Sequence, residues 1–129
     1  MKSKVLKINV EGGSKFIEIE GSKNEAIPLT TLQNEVGGYV TTFNLRRIGL
    51  PEIDVYVDEE GIINARPMNR LATLLTGIHR YGDALWGDAV FCSHDKKGET
   101  IGLSDQQLRL LTLRLNRIVM RLGKNGGAR

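Results

Sequence analysis

Val5–Val10 (VLKINV) and Lys15–Glu20 (KFIEIE) both alternate apolar and polar residues, and only EGGS separates them. Successive side chains of a strand point to opposite faces, so each segment carries one face to bury. A connection this short joins antiparallel neighbours, so the pattern is that of a β-hairpin. The chain must then supply something to cover that hairpin.

The cover is legible at the other end. Ser104-Asp105-Gln106-Gln107 has the Ser-x-x-Gln spacing of a capping box, in which two side chains satisfy free amides at a helix start. Leu108, Leu111, Leu115, Ile118, Val119 and Leu122 follow as one apolar face, and Gly123 is placed to end the helix.

Between these elements, Gly21–Pro28 reads as a loop. Leu29–Gly37 reads as a short helix, with Thr30 and Gln33 as a capping box and Leu32 and Val36 as its apolar edge. Tyr39–Leu45 is rich in β-branched and aromatic residues and suits a strand; Arg46–Glu52 is a loop, and Ile53–Val57 alternates again. Asp58-Glu59-Glu60-Gly61 has Asp first and Gly fourth, the chemistry of a turn closing a hairpin into Ile62–Ala65. Asn69 caps a helix that Gly77 ends, with Leu71, Leu74 and Leu75 at apolar spacing. Ala89–His94 reads as a strand, followed by a second Asp-x-x-Gly at Asp95–Gly98. The order β-β-α-β-β-β-α-β-α predicts α+β: a mostly antiparallel β-sheet covered by two short helices and one long C-terminal helix. At 129 residues, with no linker or internal repeat, residues 1–129 are expected to form a single domain.

A single cysteine, Cys92, rules out an internal disulfide framework and fits a reducing compartment. No apolar run approaches the ~20 residues of a membrane span, and no leader-like N-terminus is present. The expected location is cytoplasmic, without a membrane partner. The net charge of +3 conceals an asymmetry: residues 104–129 balance at +5 and the first 103 at −2. The basicity belongs to the last helix.

Gly37-Gly38 follows a helix, so it lies at the negative end of the helix dipole, the wrong end for a phosphate. A left-handed C-cap explains it. Arg66, Asn69 and Arg70 are the better anion-binding candidate, two guanidinium groups beside a helix start; the plainer reading is a capped helix with solvated arginines. Arg114, Arg117 and Arg121 recur at i, i+3 and i+7 and form a stripe on the last helix, a candidate nucleic-acid or partner surface or else a solvated face. Leu110 and Leu113 fall off its apolar face, which hints at an oligomer. Trp86, between two Gly-Asp pairs, is either a core anchor or a recognition residue on a partner surface.

The catalytic inventory is thin. Cys92 has His94 two residues away on the same strand face, and no third orienting group is evident. One cysteine and two histidines lack ligand spacing, so no metal is expected, nor any cofactor. Asp54, Asp58, Asp83 and Asp88 sit in or beside turns, where Asp serves the backbone. The chain is not expected to be an enzyme.

Leu32-Gln33-x-x-Val36-Gly37-Gly38-Tyr39, Val57–Gly61, Asn69-x-x-Ala72-Thr73 and Gly87–Phe91 occur in that order. This set resembles a family of small proteins of unknown function found widely in bacteriophages, plasmids and the bacteria that carry them. The resemblance spans about residues 29 to 111, and Leu-Gln-x-x-Val-Gly-Gly is its most specific block. It implies a mobile-element accessory protein acting in the host cytoplasm and carries over no catalytic residue. The expected function is non-enzymatic binding, interfering with a host protein (as in counter-defence) or capturing a small anionic host ligand. The alternative is a nucleic-acid-binding regulator using the arginine stripe.

Overall fold

The computed structural model describes residues 2–20 and 26–126. Residues 21–25 of the loop expected at 21–28 lie outside the described residues. β1 (Lys2–Ile8) and β2 (Ser14–Glu20) form the expected hairpin, with Val5 opposite Ile17 and Leu6 opposite Phe16. Its turn is organised by Asn9, whose Oδ1 accepts from the Glu11 and Gly13 amides at 3.1 and 2.8 Å.

α1 (Leu29–Val36) starts on Pro28, not on a Thr30 capping box, and no side chain caps it. Pro28 is fixed near φ −63° and its carbonyl already accepts the first amides, so Thr30 falls inside the first turn. Gly37 ends the helix as expected, left-handed at φ 87°, its amide donating to the Gln33 carbonyl at 2.7 Å.

β3 (Val40–Leu45) and β4 (Leu50–Asp58) flank a 3-10 turn at Arg46–Ile48. The expected strand Ile62–Ala65 does not form. β4 already has β3 on one edge and β5 (Ala89–His94) on the other, so no slot remains for a returning strand. The chain after Gly61 instead folds as consecutive turns that leave Ile62 and Ile63 71% and 78% exposed.

α2 (Arg70–Thr76) is capped by Asn69 and ended by Gly77, and a second 3-10 turn follows at Ile78–Tyr81. The Asp95–Gly98 turn returns the chain into β6 (Thr100–Ile101), a short strand that the sequence reading lacked, paired with the end of β5. α3 (Asp105–Gly126) opens with the expected capping box: the Ser104 amide donates to Gln107 Oε1 at 2.8 Å, and the Gln107 amide to Ser104 Oγ at 3.2 Å. Gly123 does not end α3, which continues to Gly126. Without a left-handed turn, a glycine inside a helix is only about 1 kcal/mol worse than alanine.

Strand order is β2-β1-β5-β4-β3, every pairing antiparallel. The fold is thus α+β, with helices on both faces of one sheet. α1 buries Leu32 and Val36 with Val5, Tyr56, Val90 and Cys92, while α2 and α3 bury Leu71, Leu75, Leu111 and Leu115 with Leu6, Val55 and Phe91. Central β4 is therefore buried from Ile53 to Asp58, where the sequence led to an expectation of alternation. Val119 sits at the rim of the α3 stripe and is 53% exposed.

Candidate anion-binding groove

Arg66, Asn69 and Arg70 do not converge. Pro67 and Met68 run alongside the 86–87 segment: Met68 bridges to Trp86, and the Gly87 amide donates to the Pro67 carbonyl. Arg66 therefore points back to β4. Its Nε donates to Asp58 Oδ2 at 3.0 Å and its Nη2 to the Gly37 carbonyl at 2.7 Å, so its charge is spent within the fold. Asn69 is sealed in the core, with Oδ1 accepting the Ala72 amide and Nδ2 donating to the Ile8 and Gly87 carbonyls.

Arg70 turns the other way and joins the arginine stripe. Arg47 from the first 3-10 turn, Arg70 from α2, Arg80 from the second 3-10 turn, and Arg114, Arg117 and Arg121 from α3 line one groove of about 460 Å³. His79 lies among them, and Ile48, Leu74, Leu75, Ile118 and Leu122 form its apolar wall. No carboxylate lines the groove among the described residues. Arg114 is half-buried and fixed, its Nη2 donating to the Ile48 carbonyl at 2.7 Å. Arg47 stacks 4.4 Å from the Tyr81 ring centroid, which holds its guanidinium plane while leaving its edge free to donate. The other four arginines are exposed. Six positive groups from four elements around an apolar wall raise the local potential, and an anion that pairs with them relieves their mutual repulsion. The stripe thus forms one wall of a concave site, where the sequence alone showed a face turned outward.

The remaining candidates lie elsewhere. Asp54 supplies the orienting group that the sequence did not reveal for His94, with its Oδ2 2.7 Å from His94 Nδ1 and its Oδ1 accepting from Asn44 Nδ2. The register puts Asp54 directly opposite Cys92, which explains the proximity. Cys92 itself is fully buried, and burial together with the Asp54 charge pushes its thiol far up. The thiol is expected to ignore an aromatic disulfide reagent in the native protein and to react fully once the chain is unfolded. Stoichiometric reaction under native conditions would contradict that burial.

Trp86 is half-buried, its Cβ against Gly61, and lines a separate hollow with Phe43, Ile62 and Ile63. Asp83 caps the Ala84 amide, and Asp88 accepts from the Val10 amide, as turn carboxylates do. Among the described residues, no cluster of three or more His, Cys, Asp or Glu is placed to hold a metal ion, and no helix is long and apolar enough to cross a membrane.

No curated protein gives a significant match to the chain, and neither does any solved structure. One family does, described as a domain of unknown function (DUF3846), over residues 1–116. That match takes in every strand, α1, α2 and the first half of α3 with Arg114, so the chain belongs to the DUF3846 family.

Proposed function

We propose that the chain is a non-enzymatic accessory binding protein, of phage or mobile-element type, that captures a small phosphorylated host ligand in the arginine groove. The observation that carries this reading is the convergence of six arginines on one apolar wall, with no carboxylate among the described lining residues. Its volume of about 460 Å³ suits a nucleotide-sized molecule, since small-ligand sites run from about 300 to 1,000 Å³. Arginine pairs with phosphate through two parallel hydrogen bonds, and the apolar wall would receive the uncharged part of the ligand. Support for a non-enzymatic role comes from Cys92, whose buried thiol is held neutral, so the cysteine on the same strand face as His94 is no ready nucleophile.

Calorimetric titration with ATP and with inorganic triphosphate tests the reading. Both should bind, ATP more tightly because of the apolar wall. The double variant Arg117→Ala/Arg121→Ala should lose at least about tenfold in affinity, because each arginine gives charge-assisted bonds. No binding of either compound at low ionic strength, or equal binding by the variant, would sink it.

A second reading, nucleic-acid binding, is favoured by the exposure of Arg117 and Arg121 along a helix of 22 residues. It requires affinity for duplex or single strands that falls steeply with salt and is not displaced by triphosphate.

A further inference from the structure

The layer of α2 and α3 stops short of the sheet edge. Thr41 and Phe43 on β3 and Val57 on β4 face the same side as buried Val55; Val57 is itself buried in the core, whereas Thr41 is half-buried and Phe43 is 39% exposed. They floor a hollow of about 430 Å³ whose described lining contains no helical residue. Ile62, Ile63 and Trp86 complete its walls, and the failure of 62–65 to form a strand is what leaves both isoleucines in solvent. The rim is acidic: Glu59, Glu60 and Asp83 are exposed around it, and no basic residue lines it among the described residues.

The same molecule carries the complementary shape. Leu110, Leu113, Arg117 and Met120 recur at i, i+3, i+7 and i+10, so they share one face of α3, opposite the buried Leu111 and Leu115. Leu110, Leu113 and Met120 are 38%, 58% and 73% exposed. Arg109 lies beside this face and Arg117 within it, and both are exposed. Among the described residues, the seam is a basic amphipathic surface without a cover, and the hollow is an acidic apolar site lined by no helix.

We propose that the outer face of α3 from a second copy of this chain seats in the Trp86 hollow, completing the helical layer. Charge decides between the two obvious modes of self-association. Packing α3 against α3 brings Arg109 and Arg117 of both copies together, whereas α3 in the hollow sets them against Glu59, Glu60 and Asp83. Two reciprocal contacts about a two-fold axis close the assembly as a dimer.

Sedimentation velocity over a concentration series at low ionic strength tests this with the full chain. The protein should dimerise, less tightly as salt is raised. Met120→Glu and Ile63→Glu change exposed positions, so both variants should retain the native circular dichroism spectrum. Each should weaken dimerisation by at least about tenfold, because a charge enters an apolar contact. Mixing the two variants should restore part of the association, since the pair keeps one intact helix and one intact hollow. A monomer at every concentration overturns the proposal. So does a dimer weakened by Met120→Glu but untouched by Ile63→Glu, the signature of α3–α3 pairing. A mixture that associates no better than either variant alone also overturns it.

Discussion

Replacing Asn69 with alanine is expected to destabilise the fold by about 3 kcal/mol and to lower the melting temperature by roughly 10 °C. The side chain is inaccessible and all three of its described hydrogen bonds go to backbone: the Ala72 amide at 3.0 Å, the Ile8 carbonyl at 2.8 Å and the Gly87 carbonyl at 2.9 Å. Loss of the cap accounts for about 1 kcal/mol, and each carbonyl left without its donor for about another. Those carbonyls belong to the end of β1 and the approach to β5, so one residue ties α2 to two segments distant in sequence. Asn69→Asp keeps the cap oxygen but turns a carboxylate toward two carbonyls, and it should destabilise more than alanine does. Urea denaturation of both variants measures this. A loss below about 1 kcal/mol for Asn69→Ala would mean that water replaces the missing amide.

Asn69 also marks where sequence reading works and where it stops. Its capping role is local, set by a polar side chain three residues before a free amide, and it is visible in the sequence. Its two carbonyl partners lie 61 and 18 residues away, and no periodicity encodes them. The hairpin, the Ser104–Gln107 capping box and the glycine stops at Gly37 and Gly77 were legible for the same local reason. Ile62–Ala65 misled because a turn beginning with Asp and ending with Gly does not reveal whether the sheet has room for another strand. The groove was half legible. Arg114, Arg117 and Arg121 announce themselves by helical spacing, while Arg47 and Arg80 sit in loops whose place beside α3 only the tertiary fold creates. Arg66 and Arg70 are near neighbours in sequence and end in different environments, because Pro67 and Met68 commit the chain between them to pairing with residues 86–87.

The Gly37-Gly38 pair acquires its reason from Asp58, and acid should expose it. Asp58 ends β4 nearly buried, accepting from the Glu60 amide at 2.8 Å, Asn64 Nδ2 at 3.0 Å and Arg66 Nε at 3.0 Å. Arg66 continues the chain of bonds to the Gly37 carbonyl, placing a cation at the negative end of α1. A side chain on Gly38 would stand 3.3 Å from the carboxylate, and Gly37 needs its left-handed φ of 87°. Both glycines thus let a helix end approach a buried ion pair. Burial by itself raises the Asp58 carboxyl, but the bonds from Asn64, the Glu60 amide and Arg66, with the Arg66 charge, outweigh it and hold it below its usual 3.8. A folded-state value below the unfolded one gives stability that is complete above the unfolded value and is lost as pH falls through the folded one. Asp58→Asn should therefore cost about 2–3 kcal/mol near neutral pH, since Arg66 and Asn64 lose the charge they bind while Arg66 stays partly solvated. The gap between wild type and variant should narrow below about pH 4, where the wild type protonates the same carboxyl. Denaturant titrations of both proteins across that range measure it. A gap that stays constant with pH would show that Asp58 holds this corner by shape and not by charge.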